Sequence, residues 1–198
     1  MIQLLDHEEH TAKVLFDSVA MHKIQAMARY TDTKEVALEG TVVRDEDTFY
    51  VTDVFAYPQL ITAATVTSDD DEYVKWLNTL PDDVVNTKRF QVHSHVNMGA
   101  TPSGVDTATY KKYLDVVDDF MIFMIVNRSG DYTMLIYDVE NNLIYDTESI
   151  EIGIILSEKD TDYSWYLEQM KMVKNKAAVS TFNKDLSWSK IYGGSYEY

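Results

Sequence analysis

The chain has 198 residues, 45% of them hydrophobic and 25% charged, which suits one folded domain with a sizeable core rather than a disordered chain. A formal net charge of −16 disfavours a nucleic-acid backbone as partner, and the densest basic spots (Lys88-Arg89, Lys111-Lys112 and residues 171–176) are too short to form a nucleic-acid arm. The absence of cysteine excludes a disulfide framework and any thiolate metal site, no apolar run is long enough to span a bilayer, and MIQLLDHEEH carries no signal-peptide pattern, so a cytoplasmic protein without membrane contact is expected.

In chain order, DHEEHTAKVLFDSVAMHKIQAMARY (6–30) has helical periodicity, with Val14, Leu15, Val19, Ala26 and Met27 on one stripe and Asp6 and Glu9 placed as a capping box. TDTK (31–34) breaks it. EVALEGTVV (35–43) and TFYVTDVFAYP (48–58) read as two strands around the charged tip RDED, and LITAATVT (60–67) as a third. DDDEYVKWLNTL (69–80) reads as a short helix with an acidic first turn and Pro81 as its stop.

RFQVHSHV (89–96) is strand-like, and VNMGATP (96–102) is a loop. SGVDTATYKKYLDVV (103–117) is a helix that begins at a serine. FMIFMIVN (120–127) and YTMLIYDV (132–139) form a hairpin, whose first run is apolar enough for a strand covered on both faces. SIEIGIIL (149–156) is one more strand. DTDYSWYLEQMKMVKNKAAV (160–179) reads as an amphipathic helix, followed by an aromatic tail. The pattern divides the chain into a main domain at 1–157 and a C-terminal helix and tail at 158–198. The fold class expected is mixed α/β on a largely antiparallel sheet flanked by helices.

The chemistry concentrates in QVHSHVNMGATPSGVD (91–106). On a strand, residues two apart point to the same side, so His93 and His95 project together and Ser94 faces the other way. Asp106 sits in the first turn of the next helix, where it can swing back toward the strand end. Two imidazoles, one carboxylate and an open position suit a catalytic zinc ion. Each signal alone has a plainer meaning: Ser103 and Asp106 form a capping box, and a lone histidine is more often a core or surface residue. Four specified residues at the spacing H-x-H-x(7)-S-x-x-D carry more weight together. HEEHT (7–11) falls one residue short of the H-E-x-x-H zinc motif, which leaves His7 and His10 as solvated residues.

His93, His95, Ser103 and Asp106 resemble the signature of the JAMM, or MPN-type (JAB domain), zinc metalloproteases, and HSHVNMGATPSGVD looks like the prokaryotic and phage branch. That family includes deubiquitinating isopeptidases, bacterial proteins acting on ubiquitin-like substrates, and phage-encoded domains. The resemblance spans roughly residues 6–140. It implies an MPN/JAB-like fold with a cytidine-deaminase-like core. It implies one Zn²⁺ on His93, His95 and Asp106, with Ser103 bonding the oxyanion. It also implies a glutamate general acid/base on an earlier strand. Glu35 opens EVALEG at the family's place for it, and Gly40 matches a later family glycine, although Ala37 and Leu38 stand where members often carry glycine. Glu39 shares the strand face with Glu35, so face alone does not choose between them; motif position favours Glu35.

The expected function is therefore a zinc-dependent peptidase or isopeptidase acting on a protein or peptide, such as a ubiquitin-like or phage assembly protein. The competing expectation is a non-enzymatic MPN-type scaffold or assembly protein. The aromatic tail leaves room for a second copy of the chain or an assembly partner.

Overall fold

A computed structural model describes residues 10–30, 33–96, 98–156 and 168–175. The chain enters on a strand, β1 (Ala12–Asp17), and continues directly into helix α1 (Ser18–Tyr30). The helix expected over 6–30 is thus corrected across 12–17; residues 6–9, with their capping box, lie outside the described residues. Burial alternates along Ala12-Lys13-Val14-Leu15-Phe16, with Ala12, Val14 and Phe16 inside. Over six residues an alternating stripe and a helical stripe select nearly the same positions. Pairing decides the outcome, because β1 inserts between two distant strands. The helix cap is Asp17, whose Oδ1 accepts the Val19 amide at 2.8 Å.

The expected strands at 35–43 and 48–58 are β2 (Ala37–Asp45) and β3 (Thr48–Phe55), an antiparallel hairpin. The third expected strand is two short ones, β4 (Gln59–Ile61) and β5 (Val66–Ser68). Helix α2 (Asp70–Leu77) lies where a helix was expected, and Pro81 both ends that segment and opens a short α3 (Asp82–Asn86). Next come β6 (Lys88–Ser94), α4 (Gly104–Leu114), β7 (Phe120–Val126), β8 (Tyr132–Asp138), β9 (Leu143–Tyr145) and β10 (Ile150–Ile155). Residues 173–175 form β11, which pairs in parallel with β4, so the helix expected over 160–179 does not run through them. The aromatic tail lies outside the described residues.

The architecture is mixed α+β around a large curved sheet of eight strands ordered β10-β1-β3-β2-β6-β7-β8-β9. The pairings of β1 with β10, β1 with β3 and β6 with β7 are parallel and the others antiparallel, so the sheet is more mixed than the sequence suggests. The parallel pair β6–β7 follows from the helix between them, since a parallel return needs a crossover. The helix α1 packs Ala20, Ile24 and Met27 on one face of the sheet, against a core that includes Phe16, Phe90 and Val92. The other face carries α4, where Tyr110 stacks on Phe123 with ring centroids 4.0 Å apart. The strand β7 lies between these layers: Ile122 and Met124 join the first core, Met121 and Phe123 the second. That explains its unbroken apolar run.

Gly40 marks a tight point of this packing. A Cβ there would lie 2.6 Å from the Asp53 carbonyl oxygen and 2.9 Å from Val54 Cγ1. Backbone cannot yield as a flexible side chain can. Gly40→Ala is therefore expected to cost about 1–3 kcal/mol, read as a lower melting temperature.

Candidate metal centre

The strand β6 ends at His93 and Ser94, with His95 following, and α4 begins just after the loop that returns from it. His93, His95 and Asp106 are 3%, 4% and 9% exposed. Their ligand atoms all lie within 4.8 Å of one another. His93 Nε2 is 2.9 Å from Asp106 Oδ1, and His95 Nε2 is 3.4 Å from Asp106 Oδ2.

The surroundings fix which atoms face inward. His95 Nδ1 is 2.8 Å from the Gly99 carbonyl oxygen. A carbonyl only accepts, so Nδ1 carries the proton and Nε2 keeps its lone pair toward the centre. His93 Nε2 is buried and faces Asp106 Oδ1 at 2.9 Å, without an aligned hydrogen bond. This ring nitrogen faces a second imidazole and a carboxylate, the placement of a ligand atom. Asp106 completes a capping box: Ser103 Oγ accepts from the amides of Val105 and Asp106 at 3.2 and 3.3 Å, and Asp106 Oδ2 accepts the Ser103 amide at 2.6 Å. The capping box and the metal-ligand geometry coexist. The cap anchors one carboxylate oxygen and so aims the other at His93.

Burial raises the proton affinity of Asp106, but the imidazoles of His93 and His95 and the Ser103 groups outweigh it, holding the carboxyl well below its ordinary range. His95 is pushed up, mainly by Asp106. The result is an ionised carboxylate between two imidazoles: two nitrogen donors and one oxygen donor, a set that could hold a metal ion.

Glu35 borders the same centre and is 3% exposed. Burial pushes its carboxyl up to about 7, with His95 opposing the shift and Asp106 adding to it. Backbone contacts from distant segments hold this stretch in place. The Glu35 amide donates to the Thr62 carbonyl at 3.0 Å. The Val36 amide donates to Ser94 Oγ at 3.0 Å, and Val36 O accepts from the Ser94 amide at 2.9 Å. Gln59 bonds both the amide and the carbonyl of Ala37, each at 2.9 Å. Ser94 and Gln59 thus position Glu35 beside the two histidines. Ser94 sits visibly between those histidines in the sequence, whereas no sequence pattern marks Gln59.

Glu39 is occupied elsewhere. It is fully buried and ion-paired to Lys88 Nζ at 2.8 Å. It also accepts from Tyr73 OH at 2.9 Å and from Tyr113 OH at 2.8 Å. Burial and the Glu39 charge push both phenols up, which keeps them protonated donors. Glu39 therefore ties α2 and α4 to the sheet.

A groove of about 450 Å³ opens from Glu35, His93 and Asp106 along β6, between α4 on one side and β5 and α2 on the other.

No family model matches the sequence, and no curated protein matches it. The structure is similar to the solution structure of protein DSY2949 from Desulfitobacterium hafniense, at TM-score 0.49 and 18% identity, covering 74% of this chain and 94% of that one. No helix among the described residues is long and apolar enough to cross a membrane.

Proposed function

We propose that the protein is a JAMM-type zinc metallopeptidase that hydrolyses a peptide or isopeptide bond. The observation that carries this is the buried convergence of His93, His95 and Asp106 beside a buried Glu35 of raised pKa. The spacing H-x-H-x(7)-S-x-x-D, the MPN/JAB-like fold class and a cytidine-deaminase-like core belong to the same proposal. A zinc ion held by the three residues would supply Lewis acidity and a water acidified toward neutral pH.

The chain's own groups have defined tasks. Glu35, buried beside the site, would take a proton from the attacking water and deliver it to the leaving amine. Ser103, the N-cap of α4, would turn its hydroxyl toward the oxyanion, the role the resemblance implies. Ser94 and Gln59 keep the Glu35 backbone in register with the histidines. The buried grouping of two imidazoles and a carboxylate beside Glu35 favours the enzyme over a purely structural role.

The test is hydrolysis of linear and isopeptide-linked ubiquitin-like fusions by the zinc-loaded protein. Cleavage that a chelator stops and added zinc restores is the expected result. Cleavage indifferent to the chelator would overturn the proposal.

A further inference from the structure

The groove beside the metal centre has a charge pattern that the whole chain does not share. The chain carries a formal charge of −16, yet the groove gathers Lys88, Arg89 and Lys112. Its only acidic lining residues, among those described, are Glu35 and Asp106 at the centre itself. Lys88 is neutralised by Glu39. Arg89 is ion-paired as well, donating Nε to Asp119 at 2.6 Å and Nη1 to the Lys88 carbonyl at 3.2 Å, and offers a ligand only its Nη2. Lys112 is exposed and lines the groove from α4.

These groups form a line. His93, Gln91 and Arg89 lie two residues apart on β6 and all line the groove, while Phe90 and Val92 between them face the opposite core. Arg89 falls at an irregularity in the β2–β6 register, where Gly40 pairs with Phe90 and Thr41 with Lys88, and its backbone stands at most about 13 Å from that of His93. Gln91, midway, is 3% exposed and its Oε1 has no hydrogen-bond partner. A ligand N–H or a water can supply the bond that this buried carboxamide oxygen lacks within the chain.

We infer that this groove binds an extended substrate segment bearing a carboxylate three to four residues from the scissile bond, with Arg89 and Lys112 recognising the carboxylate and Gln91 the backbone between. An extended chain covers about 3.3–3.6 Å per residue, which matches the spacing from His93 to Arg89. The carboxylate is either an acidic side chain on the acyl side or the free chain end on the leaving-group side. The inference rests on the metallopeptidase function proposed above.

Peptide hydroxamates, which chelate zinc, test it by binding rather than by turnover. One pair is acetyl-Asp-Ala-Ala-Ala hydroxamate and its Asn counterpart. The other is a malonyl hydroxamate extended by three alanines, ending in a carboxylate or in a carboxamide. Affinity for the zinc-loaded full chain is measured by calorimetry. In one pair the carboxylate is expected to bind about tenfold tighter than its neutral partner, an advantage that shrinks with salt. The pair that shows it tells which source of carboxylate the groove takes.

Arg89→Gln should erase the advantage, so that the charged and neutral probes of that pair bind alike. Arg89→Lys should keep part of it, and Lys112→Gln should reduce it, so the test survives if Arg89→Gln fails to fold. Gln91→Met should weaken the carboxylate and neutral probes alike without lowering the melting temperature, since no internal hydrogen bond is lost. If hydroxamates bind but charge makes no difference in either pair, the groove assignment is overturned while the zinc centre stands. If no hydroxamate binds at all, the metallopeptidase function falls and this inference with it.

Discussion

Glu35→Gln is expected to abolish hydrolysis, by roughly 10²–10⁴-fold, while the bound zinc stays at the wild-type level. The carboxyl is not among the three converging ligands, so its loss removes a proton carrier and leaves the metal site intact. The amide keeps the shape of the side chain and cannot accept a proton. The metal-free protein offers a second readout. Burial holds Glu35 at about 7 in the fold against an ordinary value of 4.5, so between those values the folded state binds more protons than the unfolded state. Wild-type stability should therefore fall as pH rises from about 4.5 to about 7 and level off above, and Glu35→Gln should lose that component of the slope. Urea titrations of both proteins across this window check the sign. Full activity in Glu35→Gln would place the proton carrier elsewhere.

Glu39→Ala is expected to act in the opposite way, costing stability and sparing the chemistry. The substitution strands the Lys88 ammonium, whose side chain is 12% exposed, and leaves the hydroxyls of Tyr73 and Tyr113 without their shared acceptor. Removing one partner of a buried pair costs about 3 kcal/mol, and for a chain of this size that lowers the melting temperature by roughly 6–12 °C. Zinc content should be unchanged, and hydrolysis measured well below the melting transition should persist. Replacing both partners, Glu39→Leu with Lys88→Met, should recover part of the loss, because no bare charge is then left inside. A Glu39 variant that is stable but inactive would mean that the assignment of the two glutamates is off by one strand repeat.

Local signals carried the parts of the molecule that local signals can determine. The hairpins β2–β3 and β7–β8 follow from β-branched and aromatic runs around charged tips. The start of α4 follows from Ser103 and Asp106, which form the cap the sequence suggests. The two histidines converge because they sit at the end of one strand, and Asp106 joins them because the cap holds it at the adjacent helix start.

What stayed hidden depends on pairing across the chain. The strand β1 reads as helix until β3 and β10 flank it, and β11 is a strand because the edge of β4 receives it. The choice between Glu35 and Glu39 has the same origin. The two share a face and a residue type, and they part only when α2 and α4 bring Tyr73 and Tyr113 to one of them. Gln59, bonded to Ala37 from 22 residues away, follows no period that a sequence could display.

The central claim is that His93, His95 and Asp106 hold one zinc ion, and elemental analysis of the purified protein tests it most directly. The wild-type chain should carry one zinc per molecule. A variant with His93→Ala and His95→Ala should carry none and still fold, since the two hydrophobic cores do not depend on the ion. Equal zinc in both proteins would contradict the assignment.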